Sequence, residues 1–242
     1  MSRREVTLIF PFYRNVGMWR RQLEHIRSLP PEVRGALSLI VVDDGSPPAH
    51  ALNEGDLLEV RTLGLKSARL FRILVDVRWN WLAARNLAVS KAQTDWVLMT
   101  DIDHLVPEST LRRIQELKLD GRNTYRFQRV DAPDLTPYKP HPNSWLLTRE
   151  RFEKIGGYDE RFSGFYGTDG EFRDRVVKNS QMVIILDFPL IRVPREVVPD
   201  ASTTTYGRKE PQDREGVGRV RKLIAASPKP HRLTFPWEEI VA

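Results

Sequence analysis

Apolar and polar positions along the first half of the chain follow a strand, helix, strand, helix rhythm. Val6 to Phe10 is a short β-rich run that stops at Pro11. Asn15 is placed to cap a helix through about Ser28, with Met18, Trp19, Leu23 and Ile26 at helical spacing. Pro30-Pro31 closes that unit. Leu37 to Val42 reads as a central strand, apolar nearly throughout, and breaks off at Asp43-Asp44-Gly45-Ser46. Leu70 to Val75 reads as a third strand and Trp81 to Lys91 as a helix. Trp96 to Thr100 is a fourth strand, ending at Asp101-Ile102-Asp103, and Pro107 opens a helix through about Leu119. This alternation predicts an α/β fold: a mostly parallel central sheet with helices on both faces.

The second half is less regular. Tyr125 to Val130 and Ser144 to Thr148 read as strands joined by a Pro-rich connection. Glu171 to Lys178 reads as a helix and Met182 to Leu186 as a buried strand. Beyond Pro194 the chain turns polar, with Thr203 to Thr205 and many charges, and only Val217 to Ala226 has helical character. The pattern divides into a body over 1–198, with halves 1–104 and 105–198, and an arm or loop over 199–242.

Composition narrows the classes. With 242 residues, 40% hydrophobic and 29% charged, the chain can bury a substantial core, and wholesale disorder is excluded. Lys+Arg 38 against Asp+Glu 32 gives +6, a balance that suits nucleic acid, anionic membrane surfaces or phosphorylated ligands, or simply a basic solvated surface. There is no cysteine, so disulfides, thiolate zinc sites, iron–sulfur clusters and cysteine nucleophiles are excluded. A reducing, cytoplasmic location is the expectation. No apolar run approaches the roughly 20 residues of a membrane span, and no targeting segment is visible.

Two acidic clusters, Asp43-Asp44 and Asp101/Asp103, directly follow strands. In an open parallel sheet the ligand crevice lies outside the carboxyl ends of the strands, so both are expected at one edge. Carboxylates gathered there repel unless a cation sits among them, and hard oxygen donors suit Mg²⁺ or Mn²⁺ bridging nucleotide phosphates. Solubilising loop acids or caps are the alternative.

At these residues the sequence resembles GT-A fold glycosyltransferases of the family 2 type. Val41-Val42-Asp43-Asp44-Gly45-Ser46 resembles their nucleotide-binding signature, and Ile9-Phe10-Pro11-Phe12-Tyr13-Arg14-Asn15 their opening strand and loop. Ala83-Ala84-Arg85-Asn86 is similar to their Ala-Arg-Asn helix start, and Asp101-Ile102-Asp103 to their DxD motif. Gly156-Gly157-Tyr158-Asp159-Glu160-Arg161-Phe162 followed by Gly164-Phe165-Tyr166-Gly167-Thr168-Asp169-Gly170-Glu171-Phe172 resembles the C-terminal module of galactosyltransferase-type members, with Arg173 and Arg175 as candidates for its arginine. Thr168 stands where the pattern usually has Glu. The resemblance covers about residues 5 to 195, so the body becomes a GT-A (Rossmann-like) catalytic domain with a nucleotide-binding half and an acceptor half.

The resemblance implies a nucleotide-sugar donor, most often a UDP-sugar, and an inverting, metal-dependent transfer to an acceptor hydroxyl. Pro11, Tyr13, Asp43 and Asp44 would hold base and ribose, and Arg85 would approach the diphosphate or the DxD acids. Tyr13 is open to simple packing, Asp44 to capping the turn before Pro47, and Arg85 to a structural ion pair. Asp101 and Asp103 would bind metal and ribose, Mn²⁺ or Mg²⁺ being the ion. Asp169 would be the general base; capping the following helix is compatible with that role. Tyr166 and Gly167 would offer sugar-binding surface, with a buried aromatic pair as the alternative. His231 is a candidate third metal ligand, whereas strand alternation should turn His104 away.

The acceptor stays open: a glycan or another hydroxyl, including a modified base in DNA given the net charge, with Trp79, Trp81 or Trp145 either stacking on a flipped base or packing in the core. A nucleotidyltransferase of similar fold expects a Gly-rich, lysine-containing loop where Pro11 to Asn15 stands. A non-catalytic sugar- or nucleic-acid-binding relative expects loss of acids that are present here.

Overall fold

A computed structural model describes residues 3–202 and 213–242; the Thr203 to Thr205 stretch lies outside the described residues. In chain order come β1 (Val6–Phe12), α1 (Val16–Ser28), α2 (Pro31–Arg34), β2 (Leu37–Asp43), α3 (Glu54–Arg61), β3 (Ser67–Ile73), α4 (Trp81–Lys91) and β4 (Trp96–Met99). Then follow β5 (His104–Leu105), α5 (Glu108–Glu116), β6 (Thr124–Asp131), β7 (Thr136–Tyr138), β8 (Trp145–Thr148), α6 (Arg149–Ile155), α7 (Asp169–Asn179), β9 (Val183–Arg192), α8 (Arg214–Ala226) and β10 (Trp237–Ile240).

One sheet runs β10-β3-β2-β1-β4-β8-β6-β9-β5, with β7 attached to β6. Its β3-β2-β1-β4 portion is parallel, in a register that sets Phe12 beside Asp43 and Ile9 beside Met99. The carboxyl ends of β1, β2 and β4 therefore open on one edge. Beyond β4 the sheet is mixed: β8 runs antiparallel to β4, and β6 parallel to β9.

Alternation assigns each strand to two cores. From β1, Leu8, Phe10 and Phe12 face one side and Ile9 the other; from β2, Leu37, Leu39 and Val41 oppose Ile40 and Val42. The first core is covered by Trp19 and Leu23 of α1, Leu57 of α3 and Ile114 of α5. The second is covered by Leu87 of α4, Phe152 of α6, Phe172 of α7 and Val217 of α8. β2, buried along its whole length, is the central strand that its apolar run predicts.

The structure extends β9 to Arg192 and adds β5, β7 and β10 to the elements expected. β10, within the polar tail, pairs antiparallel with β3, its Trp237 edge-on to Phe71 at 6.0 Å. Among the described residues no helix is long and apolar enough to cross a membrane.

Candidate active site

The carboxyl edge of the parallel strands opens on a cavity of about 520 Å³. Pro11 and Tyr13 reach it from the end of β1, Asp44 from the end of β2, and Asp101 and Asp103 from beyond β4. Tyr166, Gly167 and Asp169 close it from the loop leading into α7. The fold thus brings together residues from four separate stretches of chain.

At one end the Tyr13 hydroxyl donates to both carboxylate oxygens of Asp76, each at 3.1 Å. Burial and the hydrogen bond to Asp76 raise the Tyr13 pKa. Asp44 is buried with Oδ1 lacking any hydrogen-bond partner. Burial, then repulsion from Asp43 and Asp76, pushes its carboxyl well above the ordinary range. An orphaned buried acceptor facing a cavity suits a ligand hydroxyl or N–H.

Asp43 has a different task from the one expected. Its carboxylate is fully buried and accepts the backbone N–H groups of Ser46 at 2.8 Å and Leu52 at 2.9 Å, so it folds the loop that presents Asp44 and does not line the cavity. Gly45 is part of the same device: at φ +77°, a Cβ there would stand 2.4 Å from the Val75 carbonyl oxygen.

Arg85 likewise works from behind. Fully buried outside the cavity lining, its guanidinium pairs with Asp101 Oδ1 and donates to the Tyr158 hydroxyl at 3.1 Å. The other Asp101 oxygen lies 3.2 Å from His141 Nε2. Burial alone would raise the Asp101 carboxyl, but Arg85 and His141 outweigh it and hold it well below the carboxylate range. Asn86, next to Arg85, brackets Tyr158 by its N–H and carbonyl, both at 2.8 Å.

His104 does not turn away from Asp103: its Nδ1 lies 2.6 Å from Asp103 Oδ1, and its ring packs 4.4 Å from that of His141. The chain turns at Ile102-Asp103 before β5 begins, so strand alternation does not carry through. His231 is exposed, its carbonyl accepts the Glu160 N–H at 2.9 Å, and it is not among the residues lining the cavity. The histidines gathered at the D-x-D are His104 and His141.

Asp169 is the first residue of α7, and its Oδ1 accepts the Asn143 side-chain amide at 2.5 Å; no side chain caps this helix. Tyr166, 44% exposed, packs against Trp79 with centroids 4.8 Å apart, so the pair forms an open aromatic surface. Trp79 and Trp81 line the cavity, whereas Trp145 is core, edge-on to Phe172. Arg173 and Arg175 do not line it; they pair with Asp174 and Glu171.

Among the described residues no group of three His, Asp or Glu side chains is arranged to enclose a metal. The donors at hand are hard: Asp103 keeps one carboxylate oxygen clear of His104, while Asp101 is engaged at both. Asp103, with Asp101 beside it, would suit a hard divalent ion such as Mg²⁺ or Mn²⁺. Sequence reasoning missed Asp76, Arg129, His141, Asn143 and Arg192, all in the cavity lining. Only Arg129 carries a local signal, as a charged residue in the inward register of β6 after Tyr125 and Phe127.

A parallel sheet that delivers acids from separate strand ends to one cleft is the architecture of the GT-A fold. The chain belongs to glycosyl transferase family 2, whose pattern matches residues 7–177. No curated protein matches it. Among solved structures it is similar in fold to Staphylococcus aureus TarS 1-349 in complex with UDP-GlcNAc, with TM-score 0.62 and 15% identity over 82% of this chain and 61% of that one. The chain therefore spans about three fifths of that structure's length. A mannosyltransferase from Pyrobaculum calidifontis in complex with GDP-Man and Mn²⁺ is similar at TM-score 0.54, with 18% identity over 79% of this chain and 57% of that one. GalNAc-T7 with UDP, GalNAc and Mn²⁺ is similar at 0.57, with 12% identity over 79% of this chain and 44% of that one.

Proposed function

We infer that this chain transfers a sugar, with inversion, from a nucleoside-diphosphate sugar to an acceptor hydroxyl, a UDP-sugar being the first donor to test. One observation carries the reading: Asp169 shares a single cavity with Asp44, Asp101 and Asp103. Nucleotide sugars in the solved structures of similar fold lend it support.

In this reading Tyr13, Asp44 and Asp76 hold base and ribose, since carboxylates accept from ribose hydroxyls and from an imide N–H. Asp169 takes the proton of the acceptor hydroxyl as its oxygen bonds to the anomeric carbon. The bond from that carbon to the diphosphate oxygen breaks, and its electron pair leaves with the diphosphate. Asn143 fixes the rotamer of the base. Arg85 and His141 orient Asp101, and the Arg85 guanidinium offsets its charge. Mn²⁺ or Mg²⁺ at Asp103, with Asp101 beside it, would supply Lewis-acid stabilisation of the departing diphosphate when bound.

The test is turnover of UDP-GlcNAc, UDP-Gal, UDP-Glc and GDP-Man with Mn²⁺, followed by proton NMR of the product's anomeric centre. Asp169→Asn should lower kcat by about 10²–10⁴-fold with the Kd for UDP unchanged. Retained configuration, or an undiminished kcat in the variant, would reject Asp169 as the base.

A further inference from the structure

Arg129 has no role in the chemistry above, yet it lies in the cavity wall. It stands on β6 in register with Tyr125 and Phe127, whose rings enter the core, so a guanidinium occupies an inward position. The residue is only 6% exposed. Its Nε is buried without a hydrogen-bond partner, and its guanidinium carbon sits 4.5 Å from the Tyr138 ring centroid. The nearby carboxylate of Asp131 is taken by Arg192 in a two-pronged pair, and Asp103 is engaged through Oδ1 by His104, with no ion pair from either acid to Arg129 among the described residues.

A buried cation without a bound carboxylate is among the most costly groups a fold can retain. This one faces a cavity, so the missing partner can come from a ligand. Guanidinium geometry matches two oxygens of a phosphate, and the Tyr138 ring at its face fixes its plane. Arg192 adds a second cation beside the same ring, 5.0 Å from its centroid, and also lines the cavity. Tyr138, 45% exposed, and Lys139, whose ammonium lies 5.9 Å from that ring, continue the basic strip outward.

We propose that Arg129, seconded by Arg192 and oriented by Tyr138, is a phosphate-oxyanion site in the cavity wall beside Asp103. The anion comes either from the donor's diphosphate or from a phosphate carried by the acceptor. The assignment of its source rests on the function proposed above; the site itself does not.

The experiment is calorimetric titration with inorganic pyrophosphate in EDTA, so that no metal ion contributes. The unaltered protein should bind, and Arg129→Gln should weaken binding about ten- to a hundredfold. Arg129→Lys should recover part of the loss, and Tyr138→Ala, at an exposed ring, should lose about two- to fivefold. Thermal melts check folding; if the Gln variant fails to fold, the Lys and Tyr138 variants carry the comparison. UDP and uridine then separate the sources. Loss of UDP affinity with uridine binding intact assigns the site to the donor, and loss of pyrophosphate binding alone assigns it to the acceptor. Absent pyrophosphate binding, or equal binding by Arg129→Gln, overturns the site. Failure of every nucleotide sugar to turn over, with the pyrophosphate result intact, removes the proposed function and leaves the anion site standing.

Discussion

Asp43 and Asp44 are adjacent and chemically identical, and their surroundings give them opposite tasks. Asp43 is satisfied by two backbone donors and shapes the loop; Asp44 has an oxygen left over and faces the cavity. The unsatisfied acid carries a stability cost with a definite pH dependence. Its folded pKa is raised, first by burial, so the folded state holds the proton more tightly than the unfolded chain. Stability therefore falls as pH rises from the unfolded value near 3.8 through the folded pKa, and the loss is complete above it. Asp44→Asn should raise the Tm at pH 8 and give no gain at pH 3, while weakening uridine binding. A Tm gain independent of pH would disconnect it from this carboxyl.

At the scale of elements, the loop that carries Tyr166 and Asp169 is anchored by a buried acid. Glu160 accepts from the Asn86 amide, the N–H groups of Leu233 and Thr234, and the Thr234 hydroxyl, at 2.6 to 2.8 Å. This ties α4, the loop before α7 and the chain leading to β10 into one knot. Gly157 lies in it at φ +65°, where a Cβ would meet Asn86 Oδ1 at 2.8 Å. Glu160→Ala leaves several donors unpaired and should cost about 3 kcal/mol in urea unfolding. A loss below about 0.5 kcal/mol would mean that water replaces the carboxylate. The elements legible from sequence are those whose signal is local. β2 is an unbroken apolar run, and β1, β3 and β4 are short, largely apolar runs each followed by a polar break. β10 was not legible, because Trp237, Glu238 and Glu239 keep much of their surface in water and only pairing with β3 makes them a strand. His141 was missed for a related reason: a Pro-rich connection brings it to Asp101, and connection geometry leaves no periodicity to read.

For the whole molecule, the cavity is a place where charge is balanced only in part. Asp44, Asp76, Asp101, Asp103 and Asp169 share it with Arg14, Arg78, Arg129 and Arg192. A nucleotide that binds the folded state alone should stabilise it in proportion to the logarithm of its concentration, by about 2.7 kcal/mol at a hundred times Kd, and raise the Tm accordingly. On the proposed reading, EDTA should shrink the shift given by UDP and leave that given by uridine, because only the diphosphate meets the acids of the D-x-D. Equal shifts with and without EDTA would remove the divalent ion from the donor complex. The net charge of +6 was legible from composition, but its division between cavity and surface was not, since that depends on which arginines the sheet turns inward.

The β3–β10 pairing has a consequence for biosynthesis. Arg69 and Glu239 are joined by two hydrogen bonds, at 2.8 and 2.7 Å, across 170 residues of chain. While a ribosome makes the intervening segment, β3 has β2 on one side and an open row of backbone donors and acceptors on the other. The β1-β2-β3 portion can thus assemble early, but with a free sheet edge throughout the synthesis of everything that follows. Translation speed over residues 74–236 therefore sets how long a nascent chain remains exposed to mispairing with its neighbours on a polysome.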